Sequence, residues 1–218
     1  MPKQHTISQG ESILSVAEVY GFFAGTLWDH PSNAELRERR KFMNVLAPGD
    51  VVNIPDKVEK TVAGATGARH VFRRRGVPAL LRLRLLAEDQ PRAHLPYRLV
   101  VGGHEQRGVT DADGVFEQFV SPRAREGVLL LGEAGDEVVQ LKLGELDPVT
   151  EISGIQARLN NLGFACGAPS GQLDEPTRAA LRDLQRRFDL PLSGEADDAT
   201  CARLFELHDD QAPIAARS

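Results

Sequence analysis

Six histidines and two cysteines are the residues of this sequence best suited to metal binding, base catalysis or nucleophilic attack. The histidines are spread over the whole chain, at His5, His30, His70, His94, His104 and His208. The chain has no His-Glu-x-x-His zinc motif, no Gly-x-Ser-x-Gly nucleophile turn and no phosphate-binding glycine loop. We therefore expect no catalytic residue, no metal site and no cofactor, and predict that the protein is not an enzyme.

The two cysteines, Cys166 and Cys201, are too few for a disulfide scaffold and lack the spacing of metal ligands. We expect them to serve as small apolar residues of a core. A disulfide between them stays open as an alternative.

Composition narrows the class of protein. The chain has 218 residues, 41% hydrophobic and 26% charged, with a net charge of −5, which is typical of one large or two to three small globular domains. The acidic balance disfavours nucleic acid as a partner. The basic run Arg73–Arg75, with Arg82 and Arg84 beyond it, is interpreted as solvated linker and strand edge, with a phosphate contact as the alternative.

We expect neither a secretion signal nor a membrane-spanning segment in this sequence. No segment approaches the roughly 18–20 apolar residues of a membrane span, and residues 1–6 lead into an alternating segment rather than an apolar signal core. We expect the protein to be cytoplasmic at synthesis, and to leave the cell only with a dedicated secretion apparatus.

Residues 1–56 predict a small domain of strands and helices. Ser12 is a typical N-cap for a helix that Gly21 ends, and the strand before it covers residues 5–8. A second helix is predicted at residues 24–29, a third at 34–41 with Asn33 as its cap, and a second strand at 51–54. The expected order is a compact βααβ unit with one extra helix.

This segment resembles the LysM domain. The matching strings are Gly10-Glu11-Ser12-Ile13-Leu14, Val16-Ala17, Tyr20-Gly21 and Pro48-Gly49-Asp50-Val51-Val52-Asn53-Ile54-Pro55. LysM domains bind chains that contain N-acetylglucosamine, in a groove between the loop after the first strand and the loop after the second helix. The resemblance implies that these loops are Gly10 to Leu14, with Glu11, Ser12 and Ile13, and His30 to Asn33, with Pro31.

Two departures from that pattern suggest a different use of the fold. His30-Pro31 replaces the usual Asn-Pro, and residues 32–45 are an insertion. The string from Leu27 to Arg40 is similar to a variant LysM subtype of contractile machines and type VI secretion clusters, which implies docking to protein. Trp28 is either a stacking platform for a sugar or, as we favour, a packing anchor of the core.

Residues 57–77 are predicted to be a linker, and residues 78–147 a β-sandwich. Five strands are expected near residues 81–86, 97–101, 116–120, 128–131 and 138–143. Residues 108–116 resemble a hairpin of transthyretin-like and carboxypeptidase-regulatory-like domains. Asp111 and Asp113 within it are interpreted as turn residues rather than calcium ligands, since a twelve-residue calcium loop is missing.

Residues 148–208 predict three helices, followed by a disordered tail at 209–218. The text from Gln156 to Phe164 and from Gly171 to Gln185 is similar to the peptidoglycan-binding domain 1 family. The resemblance implies a binding loop that holds Gly171, Gln172, Leu173 and Thr177. The usual Asp-Gly-x-x-Gly is changed to Ser-Gly-x-x-Asp here, and a packing domain without a sugar site is the alternative.

The sequence therefore predicts an α+β multidomain chain: a βααβ LysM-like domain, a central antiparallel β-sandwich and a C-terminal three-helix domain. The expected function is a non-catalytic accessory or adaptor that binds peptidoglycan glycan strands and is associated with a type VI-type contractile secretion apparatus. The alternative is an adaptor that docks only to a spike or effector protein. A peptidoglycan hydrolase or toxin is least favoured.

Overall fold

The computed structural model describes residues 3–40, 42–58, 64, 66–67, 69 and 78–209. The chain divides into two compact units, Met1–Glu145 and Leu146–Ser218. The described residues form ten strands and six α-helices, so the protein is mixed α and β. Most of the predicted linker 57–77 and residues 210–218 of the predicted tail lie outside the described residues, and the domain boundaries within residues 1–145 stay predictions.

The first part of unit one is a two-stranded antiparallel sheet with helices inserted between its strands. Its elements are β1 (Lys3–Thr6), α1 (Ile13–Tyr20), α2 (Ala24–Trp28), a 3-10 turn (Pro31–Asn33), α3 (Ala34–Arg40) and β2 (Val51–Ile54). Ile13, Leu27 and Val52 are fully buried at the centre of its core. The order agrees with the predicted βααβ arrangement and its extra helix.

The ends of α1 follow from the residues that the sequence singled out. The Ser12 hydroxyl accepts a hydrogen bond from Ser15 N, and Ser12 N donates to the Ser15 hydroxyl, which closes a capping box. At the other end Gly21 adopts a left-handed conformation, with φ of 71°. The helix therefore has a defined start and stop, and the loop before Ser12 is held in place.

The insertion is tied to the turn before β2 by a buried carboxylate. Arg40 donates to both oxygens of Asp50, at 2.8 and 3.1 Å, and Ala47 N donates to the same carboxylate at 2.9 Å. Asp50 is buried. A charge removed from water needs such partners, so this network fixes the extra helix against the sheet.

The second part of unit one is a β-sandwich. Its strands are β3 (Ala79–Arg84), β4 (Leu86–Ala87), β5 (Gln90–Pro91), β6 (Pro96–Val101), β7 (His104–Val109), β8 (Val115–Val120), β9 (Glu126–Leu131) and β10 (Glu137–Lys142). One antiparallel sheet has the order β10-β9-β6-β7, β3 pairs with β8, and β4 pairs with β5. Leu99, Phe116 and Leu129 meet in the core between the sheets.

The predicted hairpin at residues 108–116 uses Asp111 for turn chemistry. Its Oδ1 accepts hydrogen bonds from the backbone N of Asp113 and Val115, at 2.9 and 2.8 Å. Gly114 follows in a left-handed conformation, and a Cβ there would lie 2.5 Å from Leu85 O. The carboxylate of Asp111 is thus engaged by the backbone of its own turn.

Unit two contains α4 (Ile152–Asn161), α5 (Glu175–Arg187) and α6 (Asp198–His208). Leu159, Leu181 and Leu204 are fully buried at the centre of its core. Cys166 is buried and Cys201 half-buried in the same core, and both are free thiols. Burial raises the pKa of both thiols, so they are in the neutral form that a core favours.

The prediction that the disordered tail begins at residue 209 is wrong for its first residue. Asp209 caps α6 and accepts two hydrogen bonds from Arg158, at 2.6 and 3.2 Å.

Among the described residues no helix combines the length and the apolar character that a membrane crossing requires.

Candidate functional site

The loop before α5 is organised by one buried glutamine. Gln156 of α4 is fully buried, and its Oε1 accepts hydrogen bonds from the backbone N of Ser170 and Gly171, at 2.8 and 2.9 Å. Its Nε2 donates to Gln172 O at 3.0 Å and to the Thr177 hydroxyl at 2.8 Å. Both ends of the amide are saturated, so the glutamine clamps this loop in one shape.

The four predicted residues of this loop divide into two groups. Gly171 and Gln172 are exposed, whereas Thr177 is buried and Leu173 packs partly against the core. Asp174 caps α5 by accepting hydrogen bonds from Thr177 N and from its hydroxyl. Thr177 therefore holds the loop from inside, while residues 170–172 lie on its exposed side.

A second loop repeats this construction, and the sequence analysis missed it. Gln185 of α5 is fully buried; its Oε1 accepts a hydrogen bond from Gly194 N at 2.9 Å, and its Nε2 donates to Glu195 O at 3.2 Å and to the Thr200 hydroxyl at 3.0 Å. Asp197 caps α6 through Thr200 N at 2.8 Å. The signal was present, because Ser-Gly-x-x-Asp-x-x-Thr occurs at 170–177 and again at 193–200.

Replacing Gln185 with leucine is expected to destabilise unit two by about 2 kcal/mol, because Gly194 N and the Thr200 hydroxyl lose a buried partner. The change keeps the size of the side chain and removes every hydrogen bond it makes. Urea unfolding followed by circular dichroism measures the loss. Gln172→Leu, at an exposed position, is the matched control and should change stability by less than about 0.5 kcal/mol; equal effects of both variants would contradict the clamp.

The two cap carboxylates, Asp174 and Asp197, predict that the stability of this unit depends on pH. A hydrogen bond from the Thr177 hydroxyl, followed by one from Thr177 N, lowers the pKa of Asp174. The N–H and then the hydroxyl of Thr200 lower the pKa of Asp197 in the same way. A carboxyl that binds its proton less tightly when folded stabilises the fold above its unfolded pKa, about 3.9, and loses that contribution as the pH falls through the lowered value.

We therefore expect the stability of unit two to fall as the pH decreases from about 5 towards 2. The double variant Asp174→Asn/Asp197→Asn keeps capping oxygens but cannot titrate. It should show a shallower decrease over that pH range, measured as urea midpoints at several pH values. An unchanged pH profile would show that other groups control the acid response.

In unit one, the predicted loop Gly10 to Leu14 is anchored by Glu11. Its carboxylate contacts His5 Nε2 and accepts a hydrogen bond from Ser8 N, both at 2.9 Å. Burial works to raise the pKa of Glu11, but the hydrogen bonds from Ser8 and His5 outweigh it and lower that pKa. The other nitrogen of His5 lies 3.3 Å from the Tyr20 hydroxyl. Glu11 is thus a structural residue of its loop, and its side chain is half-buried.

Within the same unit, a residue of the β-sandwich covers this loop. The Arg125 guanidinium donates a hydrogen bond to Gly10 O. A Cβ on Gly144 would lie 2.8 Å from the same carbonyl oxygen. The resemblance assigned Gly10 to glycan binding, but its carbonyl oxygen is already in contact with Arg125 and lies close to Gly144. Of its neighbours, Ser12 caps α1 and Ile13 is fully buried.

The second predicted loop contains both surface and buried residues. His30 is half-buried and Pro31 exposed, and His30 Nδ1 contacts the Ser32 hydroxyl at 2.6 Å. Asn33 is buried and pairs with the backbone of Asn53: its Nδ2 donates to Asn53 O at 2.9 Å and its Oδ1 accepts from Asn53 N at 2.8 Å. Asn33 therefore takes the place of a neighbouring strand at the edge of β2, and its amide is not available to a ligand.

Trp28 does not offer a stacking surface. Only 8% of the residue is exposed, and it belongs to the core with Leu27 and Leu36. A sugar stacks on an exposed ring face, so the burial of Trp28 agrees with the favoured interpretation, a core anchor, and removes this residue from the candidate binding residues. The two predicted loops are also held by different strands. Glu11 contacts His5 of β1, whereas Asn33 is hydrogen-bonded to Asn53 of β2.

An open hollow of about 270 Å³ lies beside the second loop and was not predicted. It is bounded by Ser32, by Gln4 and Asn53 of the sheet, and by Glu35 and Arg39 of α3, with some apolar surface from Leu36 and Val51. Gln4 Nε2 donates to Asn53 Oδ1 at 3.0 Å, so these two amides of the hollow are already paired with each other.

Among the described residues, no group of three or more His, Cys, Asp or Glu side chains is arranged to hold a metal ion.

Residues 149–204 match the family whose description is "Putative peptidoglycan binding domain". The match covers α4, α5 and most of α6, and therefore both glutamine-clamped loops. It supports cell-wall binding by this part of the chain. Comparisons of the chain with curated proteins and with solved structures find no match.

Proposed function

We propose that this chain is a non-catalytic protein that binds bacterial peptidoglycan, with unit two as its principal wall-binding part. The family match at residues 149–204 is the observation that carries the proposal. The two clamped loops support it, because they hold exposed residues at 170–172 and, on either side of the buried Gly194, at Ser193 and Glu195. A preorganised surface of this kind binds a polymer without the entropic penalty of ordering a loop.

The LysM-like part of unit one is proposed to contribute a second, weaker contact with glycan. Its support is the order of strands and helices together with the Gly10 to Ile13 string. Two weak sites on one chain would raise the apparent affinity for a polymeric wall, since the second contact forms at high effective concentration.

A protein-docking role is the second candidate for unit one. Arg125 covers Gly10 O, Trp28 is buried, and the side chain of Asn33 is used on Asn53. These contacts leave little of the sugar groove that the resemblance implies. With the similarity of residues 27–50 to the LysM subtype of contractile machines, they favour an adaptor that docks to a spike or effector protein of a type VI-type apparatus.

Retention of the full chain on insoluble peptidoglycan sacculi tests the wall-binding proposal. We expect the wild type to co-sediment with sacculi and an unrelated acidic protein of similar size to stay in solution. Soluble muropeptides should compete. A variant with Glu11→Ala and His30→Ala, checked for folding by circular dichroism, should lose only a minor part of the retention.

Three outcomes would overturn parts of this proposal. Absence of retention above the acidic control would refute peptidoglycan binding and leave protein docking as the function to pursue. Release of soluble muropeptides from sacculi during long incubation would refute the non-catalytic assignment. Complete loss of retention in the Glu11/His30 variant would show that the principal binding site lies in unit one.

A further inference from the structure

Two arginines of α5 lie between the two clamped loops. Arg178 and Arg182 are one turn apart and so share a face of the helix. Arg178 forms an ion pair with Glu195 of the second loop, and Arg182 Nη2 lies 2.5 Å from Glu175 Oε1 at the end of the first. A Cβ on Gly194 would lie 3.0 Å from Arg182 Nη1, so the second loop packs directly against this face.

These ion pairs are exposed and can be exchanged. The side chains of Arg178 and Arg182 are 33% and 36% exposed, and those of Glu195 and Glu175 are 51% and 74% exposed. Exposed pairs of this kind stabilise a fold little, because water solvates both partners. The two glutamates are also not the caps of their helices, since Asp174 and Asp197 have that role. A ligand carboxylate can therefore displace either glutamate without disturbing a loop.

We propose that Arg178 and Arg182 bind the free carboxylates of peptidoglycan stem peptides, and that Glu175 and Glu195 occupy the two guanidinium groups when no ligand is bound. The inference rests on the proposed function and names the part of the wall polymer that unit two recognises. The planar guanidinium donates paired hydrogen bonds to a carboxylate. The sugar rings of the glycan carry hydroxyl and acetamido groups, whereas the stem peptides carry the carboxylates.

A third arginine on this face of α5, Arg186, provides the matched control. Arg186 pairs with Asp183 of its own helix, at 2.6 Å, and its side chain is 64% exposed. It has the same chemistry as Arg178 and Arg182, but its partner lies within the body of α5, whereas Glu195 belongs to the second loop and Glu175 is the first residue of α5, next to the first loop. Removing it changes the net charge of the helix as much as removing either of the others.

The test is titration of the full chain with a synthetic stem tripeptide that has free carboxylates, and with the same peptide as its carboxamide. The wild type should bind the carboxylate form and bind the carboxamide at least about tenfold more weakly. Arg178→Ala/Arg182→Ala should weaken the carboxylate complex by a similar factor, and Arg186→Ala should leave it unchanged. Glu175→Gln/Glu195→Gln should tighten it, because the internal competitors are removed.

The tightening expected for Glu175→Gln/Glu195→Gln separates a binding role from a merely structural one, since damage to the fold cannot increase affinity. Equal binding of carboxylate and carboxamide by the wild type, no binding of either, or unchanged binding by Arg178→Ala/Arg182→Ala would each overturn the inference. Circular dichroism of every variant excludes misfolding as the cause of a loss.

Sacculi whose carboxyl groups have been converted to amides, with a carbodiimide and an amine, distinguish this inference from the proposed function, because they stay insoluble but lose their carboxylates. Retention on untreated but not on amidated sacculi, lost in Arg178→Ala/Arg182→Ala, supports both. Equal retention on the two preparations supports wall binding through glycan and overturns the stem-peptide site. Retention on neither overturns the proposed function itself.

Discussion

Replacing Arg158 with methionine is expected to destabilise unit two by about 3–5 kcal/mol, as breaking a buried ion pair does. Arg158 is 1% exposed and donates to the Asp209 carboxylate, to Asp147 O at 2.7 Å and to Gly154 O at 2.9 Å. Methionine retains much of the apolar stem but none of the five donors. A carboxylate and two carbonyl groups would be left in poor contact with water.

Urea unfolding followed by circular dichroism, with hydrogen exchange of peptides from residues 149–209, measures this loss in unit two. The fluorescence of Trp28 reports on unit one and should be unchanged, which makes it an internal control. Adding Asp209→Leu to Arg158→Met should restore part of the stability by removing the unpaired charge. A loss below about 1 kcal/mol in Arg158→Met would show that water replaces the guanidinium.

The Arg158 network extends this domain beyond the residues that match the family. The match covers 149–204, whereas Asp147 and Asp209 lie on either side of it. Burial works to raise the pKa of Asp209, but the neighbouring His208 and the hydrogen bonds from Arg158 outweigh it and lower that pKa. The acid response expected from the two helix caps therefore has a third contributor at the end of the domain.

The sequence alone was sufficient to predict those elements whose structure depends only on residues close together in the chain. Ser12 and Gly21 mark the two ends of α1 because a cap uses backbone groups within a few positions. The strand at residues 51–54 was predicted from a short apolar run after a Pro-Gly-Asp turn. These elements required no knowledge of tertiary contacts.

β7 (His104–Val109) was missed because it lies at the edge of its sheet. Its sequence, His-Glu-Gln-Arg-Gly-Val, does not alternate between apolar and polar residues. Such alternation is not required there, because no residue of β7 is buried, whereas every second residue of β6 is. What defines it is the two-glycine turn before it, where Gly102 and Gly103 both have positive φ, as a tight hairpin requires. The strand follows from this turn and its pairing with β6 rather than from its own residue pattern.

The candidate site was predicted only in part because its organising residues look ordinary in the sequence. Gln156 and Gln185 are polar residues of helices, and nothing local indicates that each is fully buried. Their role depends on loops 14 and 9 residues away in the chain. Trp28 shows the opposite problem, since an aromatic residue near a predicted groove fits either a platform or a core, and only its burial decides between them.

Replacing Gly154 with alanine is expected to destabilise unit two by about 3 kcal/mol, at the upper end of what overpacking does. A Cβ at this position would lie 2.2 Å from Pro148 O and 2.5 Å from Asp147 O. Both are backbone atoms, and Asp147 O is also held by Arg158. The start of α4 therefore packs against the preceding turn at a distance that only glycine permits.

The measurement is again urea unfolding by circular dichroism, with Gly25→Ala in α2 as the control. A Cβ on Gly25 would meet Asp29 Oδ2 at 3.5 Å, an ordinary contact, so that change should be neutral or slightly stabilising, as alanine is in a helix. Because the clash at Gly154 and the Arg158 network share Asp147 O, the effects of Gly154→Ala and Arg158→Met should not add. Full additivity in the double variant would show that the turn at residues 147–148 moves away from α4 without affecting the guanidinium.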